Sequence, residues 1–564
     1  MRSLVVLAIA LACSAWSAAA SPTRLNTLGY PIHGPKVATV EGQAEQAHVV
    51  DAETGQRVLD AIVRPSIPIG VSATTVIDFS DVREPGVYRL SVDGVETPAF
   101  EVADSVYNFP LYTAVRAMYL WRCGTAVSGT HDGDVFCHEA CHLHDARLDE
   151  VGKPDETLDG IGGWHDAGDY NKYVVNGAFA SAMMLQAWER FEDRLADLNL
   201  DLPESGNATP DFLDEVRWEL EWLLKMQADD GRVYHKLSTH KFGGFILPEE
   251  ESEDRYFCPW GSAATADFTA VMALATRVYR PYDREFAQQC LAASEKSYAF
   301  LLERPDDHQA DQSAFKTGPY DANDRDRRPW AAVELWETTG RAEYLDAFQS
   351  EMSRRAASSP GPTDSLVPLD WDWKNVGNLG VFTYLNTQRD GRDPALVARV
   401  REDLLMTADA ICSLARRHPY ARPLGRRYYW GSEGTVVRTA MVLHEALRIT
   451  GDARYNDAVL DGLNHVFGRN PYGRSYVTGL GHDPPRRPHS RRSEADDVEA
   501  PWPGYLIGGP NPGPNDWRDE VADYRTNEFC INWNGALIFA LASQVEPTTF
   551  DAAVRERQSS DDVQ

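Results

Sequence analysis

The sequence predicts a mainly α-helical protein fronted by a small all-β module, and three observations carry that reading. The residues before position 104 form short, alternating, β-branched runs separated by turn residues. Beyond Tyr107 the apolar residues recur at helical spacing instead. One helix-to-helix junction then appears twice, the mark of repeated helical hairpins.

Residues 1–20 precede both parts. They carry Arg2, an apolar run from Leu4 to Ala12, and a small-residue end at Ala18, Ala19 and Ala20, the pattern of a secretory signal cleaved before Ser21. That run is too short to span a bilayer, and no later run is apolar enough to do so. Cys13 leaves a lipoprotein signal open, although the residues before it fit that pattern poorly. The expected location is therefore secreted or periplasmic. Seven cysteines remain after Cys13, an odd number that cannot all pair, so some are free or bound to metal.

Residues 21–104 read as a β-sandwich. The segments at 37–40, 47–50, 74–79 and 87–92 alternate apolar and polar residues, and Gly55, Pro85-Gly86 and Asp93-Gly94 supply turns between them. About 80 residues with turns at this spacing suit an immunoglobulin-like fold. No catalytic constellation stands out there, so the expected role is packing against the next domain.

Residues 105–546 carry helical patterns at 213–226, 263–279, 330–338 and 436–449. The run Thr339-Gly340-Arg341-Ala342-Glu343-Tyr344 recurs as Thr450-Gly451-Asp452-Ala453-Arg454-Tyr455. Each Gly can take the left-handed conformation that ends a helix, placing the Tyr on the first turn of the next. Stacked hairpins of this kind are satisfied by a closed ring. Three long loops interrupt them: 125–163, rich in His, Cys and Asp; 304–329, rich in Asp; and 470–523, rich in Pro, Gly and Arg. Loops of that length are usually functional or disordered. Residues 547–564 are a polar tail.

The 564 residues are 43% hydrophobic and 25% charged, ordinary for a soluble globular chain, but the formal net charge is -30. Nucleic acid and anionic membrane surfaces are disfavoured by that charge, whereas a neutral glucan meets no repulsion. A monomer is expected.

The densest chemistry lies in Gly162-Gly163-Trp164-His165-Asp166-Ala167-Gly168-Asp169-Tyr170-Asn171-Lys172-Tyr173. Asp166 and Asp169 stand three residues apart, Ala167 and Gly168 leave room beside them, and Trp164, Tyr170 and Tyr173 offer flat faces to a sugar ring. Helix capping by Asp169 and turn formation by Asp166 would explain the two acids equally well. The stretch resembles the aspartate motif of the family 9 glycoside hydrolases, the cellulase and endoglucanase family. Residues 25–30 and 85–88 resemble the amino-terminal module that precedes many of those catalytic domains. The resemblance implies an (α/α)6 toroid with its active site among the loops at one end.

Two further stretches extend the resemblance. In residues 517–534 the order of Asp519, Tyr524, Asn527 and Glu528 is similar to the second family signature, which implies a general acid at Glu528 and counts Asp519 among the catalytic residues. Cys530 and Gly535 stand where that signature usually has small Ser, Thr or Ala. Residues 475–491 resemble the histidine motif, implying sugar contacts from His489 and Arg491, with Ser490 where a second His is usual. The family inverts configuration, which needs an acid and a base roughly 6.5–9.5 Å apart. Asp169 is then the base, Asp166 its partner in holding the water, and Glu528 the acid across the cleft.

Cys123, Cys141 and His142, with His165 before the first Asp, could close a tetrahedral structural zinc site. A disulfide from Cys123 to Cys137 or Cys141 is the alternative, and His138 or His144 could replace His165. Several family members carry zinc on this pattern. Glu204, Asn207 and Asp211 pack oxygen ligands into a turn before a helix, as calcium prefers, although capping explains Asp211 too. Substrate-binding roles are expected of Trp164, Tyr170, Arg491, Tyr429, Trp430 and Tyr524, and Trp260, Trp330, Trp371 and Trp373 could floor further sugar subsites. The reading that results is a secreted, inverting hydrolase of β-1,4-glucans. Its rivals are an exo-acting β-glucosidase or glucosaminidase and a non-catalytic carbohydrate-binding protein; the second would be favoured by a missing catalytic carboxylate, and none is missing.

Overall fold

The computed structural model describes residues 23–65, 73–358 and 365–546. The leader at 1–20 and the tail at 547–564 lie outside the described residues. The front module is a sandwich of two sheets. One runs in the order Thr23–Arg24, Val37–Glu41, Thr74–Asp78, Ile62–Pro65; the other in the order Gly29–Tyr30, Phe100–Val102, Gly86–Val92, Ala47–Asp51, Arg57–Asp60. Alternate residues of the facing strands meet inside, where Tyr30, Phe79 and Phe100 pack with centroids 5.3–5.6 Å apart.

The helices that follow are α1 (Asn108–Tyr119), α2 (Val174–Leu195), α3 (Asp211–Lys225), α4 (Ser262–Tyr279), α5 (Arg284–Glu303), α6 (Arg327–Thr339) and α7 (Ala342–Ser358). They continue with α8 (Gly377–Asn386), α9 (Pro394–Arg416), α10 (Ser432–Thr450), α11 (Arg454–Val466), α12 (Tyr524–Asn527) and α13 (Ile531–Ala542). Helices α2, α4, α6, α8, α10 and α13 form an inner ring, and α1, α3, α5, α7, α9 and α11 back them outside. The sequence sorts the two layers. Inner helices such as α13 are buried on nearly every side, whereas α7 buries only Tyr344, Leu345, Phe348 and Met352, a single stripe. Asn386 of α8 donates to Glu445 of α10 at 2.7 Å and so links two neighbours of the ring. The repeated junction behaves as expected: Gly340 and Gly451 have φ of 76° and 70°, and each amide closes onto the helix before it at 2.7 Å.

The sandwich docks on the ring through buried polar contacts. Asn26 donates to Asn464 at 2.9 Å and to the Tyr107 hydroxyl at 3.0 Å, and Thr39 donates to the Pro419 carbonyl at 2.5 Å. At the loop end of the ring, Lys172–Tyr173, Lys236–Ser238 and Tyr256–Phe257 pair into a small antiparallel sheet. That sheet fixes the aspartate turn beside the start of α2.

Candidate active site

Three distant stretches meet at this end. The Asp166 carbonyl accepts from the Ile531 amide at 3.0 Å, the Gly168 carbonyl accepts from Arg491 Nη1 at 2.8 Å, and the Asn527 carbonyl accepts from the His489 amide at 2.9 Å. Gly168 is required by close approach, because a Cβ there would drive into the His489 carbonyl. Aspartate turn, histidine loop and Glu528 segment are thus one backbone-bonded unit.

Within it the carboxyls differ in surroundings. Asp169 accepts from Asn171 Nδ2 at 2.7 Å and from the Tyr173 hydroxyl at 3.3 Å. Asp166 accepts from Asn176 Nδ2 at 2.6 Å and from the Tyr320 hydroxyl at 2.7 Å. Burial first and the Asp169 charge second push Asp166 up to about 8, against the pull of those donors. Glu528 is half-buried on an extended link between α12 and α13. Burial and the charges of Asp169 and Asp166 hold it well above the usual carboxylate range, while Arg491 and the Gly168 amide work the other way. A group so placed is biased toward its protonated form. His489 is held neutral by burial, and its Nδ1–H donates to the Val521 carbonyl at 2.6 Å, leaving Nε2 as an acceptor.

Behind the aspartate turn, Cys123, Cys141, His142 and His165 bring one ligand atom each to within 4.8 Å of one another. Cys123 Sγ lies 3.6 Å from His142 Nδ1, and Cys141 Sγ lies 3.7 Å from His165 Nε2. Ligands of a tetrahedral zinc, with Zn–S of about 2.3 Å and Zn–N of about 2.0–2.1 Å, stand ~3.6 Å apart along a mixed edge. His142 Nε2 in turn meets Glu251 at 3.1 Å, the outer carboxylate that orients a ligating imidazole. All seven cysteines of the described residues are free, so neither disulfide forms.

The chain matches the glycosyl hydrolase family 9 model over residues 107–541 and the cellulase N-terminal Ig-like domain over residues 18–97. It belongs to glycosyl hydrolase family 9. Endoglucanase D of Acetivibrio thermocellus is 48% identical over 530 residues, covering 93% of this chain and 83% of that one. The crystal structure of a metagenome-derived family 9 endoglucanase aligns with TM-score 0.84 at 35% identity, over 93% of this chain and 98% of that one. A zinc-binding triple mutant of a family 9 endoglucanase aligns equally well, with TM-score 0.84 at 31% identity over 92% of this chain and all of that one.

Several residues of this family 9 hydrolase stand elsewhere than the sequence suggested. Trp164 and Tyr170, expected as sugar platforms, are only 1% and 3% exposed. Trp164 is a core residue whose indole donates to Glu215 at 2.7 Å, and Tyr170 covers His165 with its hydroxyl on the Ile246 carbonyl. Trp330 and Trp371 are likewise buried; Trp260 stacks on His308 at 4.0 Å. Asp519, expected among the catalytic residues, accepts from the Arg486 and Arg487 amides at 2.9–3.1 Å and pairs with Arg474 at 2.6 Å, which ties it to the loop carrying His489. Trp430 and Tyr524 are 52% and 44% exposed and stand edge-to-face at 5.8 Å. Tyr429 is half-buried beside them with its hydroxyl on Asp370 at 2.8 Å.

Glu204 and Asp211 are partly committed to the protein. Glu204 pairs with Arg122 at 2.9 Å, Asp211 accepts from the Leu200 amide and Ser205, and Asn207 caps the Thr209 amide. They nonetheless crowd Asp214, a residue the sequence reading missed. Burial, then Glu204 and Asp211, push Asp214 up to about 6, and one of its buried oxygens lacks a partner. Tyr320 and Asn176 were missed too, although Tyr320 lies in the Asp-rich loop whose length had marked it.

Proposed function

We propose that this enzyme cleaves β-1,4-linked glucans with inversion at the anomeric carbon. The observation that carries the reading is the pairing within one cradle: Glu528 is driven toward its protonated form, while Asp169 accepts hydrogen bonds from Asn171 Nδ2 and the Tyr173 hydroxyl. Glu528 then protonates the departing glycosidic oxygen, and Asp169 takes a proton from the attacking water. Asp166, fixed by Asn176 and Tyr320, orients that water. Neutral His489 accepts a sugar hydroxyl at Nε2, and Trp430 with Tyr524 stacks a ring farther along the cleft. Inversion is tested by an NMR time course on a soluble β-glucan, in which the first product must be the α-anomer. Random internal fragments would mark endo action; a single sugar or disaccharide from the outset would mark the exo-acting alternative.

The Cys123, Cys141, His142 and His165 cluster suits zinc, because two thiolates and two imidazoles leave no open position and so serve structure. Glu204, Asp211 and Asp214 do not bring their ligand atoms together as the Cys/His cluster does, and Glu204, Asp211 and Asn207 are committed to Arg122, to Leu200 with Ser205, and to Thr209, so the calcium reading rests on the oxygen-rich composition of the turn alone. Elemental analysis of the purified protein tests both. The 1–20 leader implies export, and the chain acts as a monomer, which light scattering checks. No helix of the described residues is long and apolar enough to cross a membrane.

A further inference from the structure

Residues 239–251 form an arm, irregular except for a 3-10 turn at Pro248–Glu250, between the catalytic turn and the metal cluster. Its start is tied to the aspartates: the Thr239 amide donates to Asn171 Oδ1 at 3.0 Å, and Asn171 Nδ2 donates to Asp169. Its end is tied to the cluster through Glu251 on His142 at 3.1 Å, and Tyr170, which covers His165, donates to the Ile246 carbonyl at 2.6 Å. Between these anchors Phe242 and Phe245 are 46% and 45% exposed. A single exposed apolar ring needs no explanation, but two on one short arm leave a patch that water disfavours.

The neighbours of that patch belong to the site. The Arg491 guanidinium lies 5.4 Å from the Phe242 ring centre and 5.7 Å from that of Phe245, and Arg491 Nε donates to the Gly243 carbonyl at 3.3 Å. Phe245 stands edge-on to His489 at 5.5 Å. The two rings therefore continue the wall that holds His489 and Arg491. A pyranose offers such a wall an apolar C–H face for the rings and hydroxyls for the guanidinium.

We propose that Phe242 and Phe245 form a glycosyl-binding subsite, taking one pyranose ring of the glucan chain, on an arm rooted in the Cys/His metal centre. The proposal rests on the glucan hydrolase reading above. The metal centre then governs substrate binding as well as stability, because Glu251 fixes the base of the arm.

The test is the dependence of kcat/KM on cello-oligosaccharide length. In the native enzyme it rises with each occupied subsite. F242A/F245A should lose one such increment, about 3–10-fold and mostly in KM, with unchanged metal content and Tm. F245W, which keeps a flat face, should retain most of it. E251Q should lose the same increment with both rings intact and make the arm more sensitive to limited proteolysis. Identical length profiles for the native enzyme and F242A/F245A overturn the subsite, and an E251Q profile like the native one overturns the metal root. A native enzyme that cleaves none of the series refutes the glucan reading instead.

Discussion

The Tyr320 hydroxyl donates to Oδ2 of Asp166 at 2.7 Å from a backbone held at φ 45°, a left-handed position that a tyrosine adopts only under constraint. Tyr173 and Trp373 pack on its ring at 4.7 and 4.8 Å and supply the constraint. The loop thus delivers one donor to one buried carboxyl. Hydrogen bonds to charged groups are worth about 1.5–3 kcal/mol, so Tyr320→Phe should lower kcat by roughly 10–100-fold with little change in KM. Losing a donor also raises Asp166 further, so the acid limb of the pH profile should move to higher pH. An unchanged limb and kcat would dismiss Tyr320 from the water-holding role.

Glu528 gives the opposite limb. Burial and the neighbouring Asp169 and Asp166 charges raise its pKa, and activity should fall as pH rises through the raised value. Glu528→Gln should cost roughly 10²–10⁴-fold on glucans but much less on an activated aryl glycoside, whose leaving group needs no proton. The alkaline limb should vanish in the variant. Asp169→Asn must behave differently, losing activity on both substrates, with partial recovery on adding azide. Equal losses on both substrates in Glu528→Gln would overturn its role as the acid.

How far the sequence could be read follows from where information is local. The turn at 162–173 showed its chemistry because two acids, three glycines and three aromatics lie within one short run. The helix pairs were visible in their apolar spacing, and Gly340 and Gly451 marked two of the junctions. Trp164 and Tyr170 misled because an aromatic beside a catalytic acid looks the same in sequence whether it faces a sugar or the core; only the partners Glu215 and Ile246 decide. Tyr320 and Asn176 were silent for the converse reason. Their roles come from contacts 154 and 10 residues away, with no spacing rule to announce them.

Metal removal should separate stability from chemistry. One zinc per chain is expected, and Cys141→Ser should lower Tm far more than it lowers kcat on short substrates, because the cluster braces the turn from behind. Chelation should expose two thiols, those of Cys123 and Cys141, to a titrating reagent. Absence of bound metal, or no change in thiol count on chelation, would refute the site.

Glu219 lies outside the proposed chemistry, and it should set how stability depends on pH. It is buried on α3, where it accepts the Trp164 amide at 2.7 Å and fills notches left by Gly163 and Gly177. Burial pushes it up to about 8, although the Trp164 amide and Lys172 pull the other way. An unfolded glutamate titrates near ~4.3, so between those two values the folded state binds the extra proton. Stability is then fully present below the unfolded value and is lost as pH rises through the folded one. Each pKa unit is ~1.4 kcal/mol, so the loss by pH 8 is on the order of a few kcal/mol. Asp166, also raised to about 8, adds to the same slope. Glu219→Gln keeps the shape and the acceptor for Trp164 but cannot ionise. Its Tm should match that of the native protein near pH 5 and exceed it at pH 8, with the remaining slope belonging to groups such as Asp166. Parallel Tm curves for the two proteins across that range would show that Glu219 is not the titrating group.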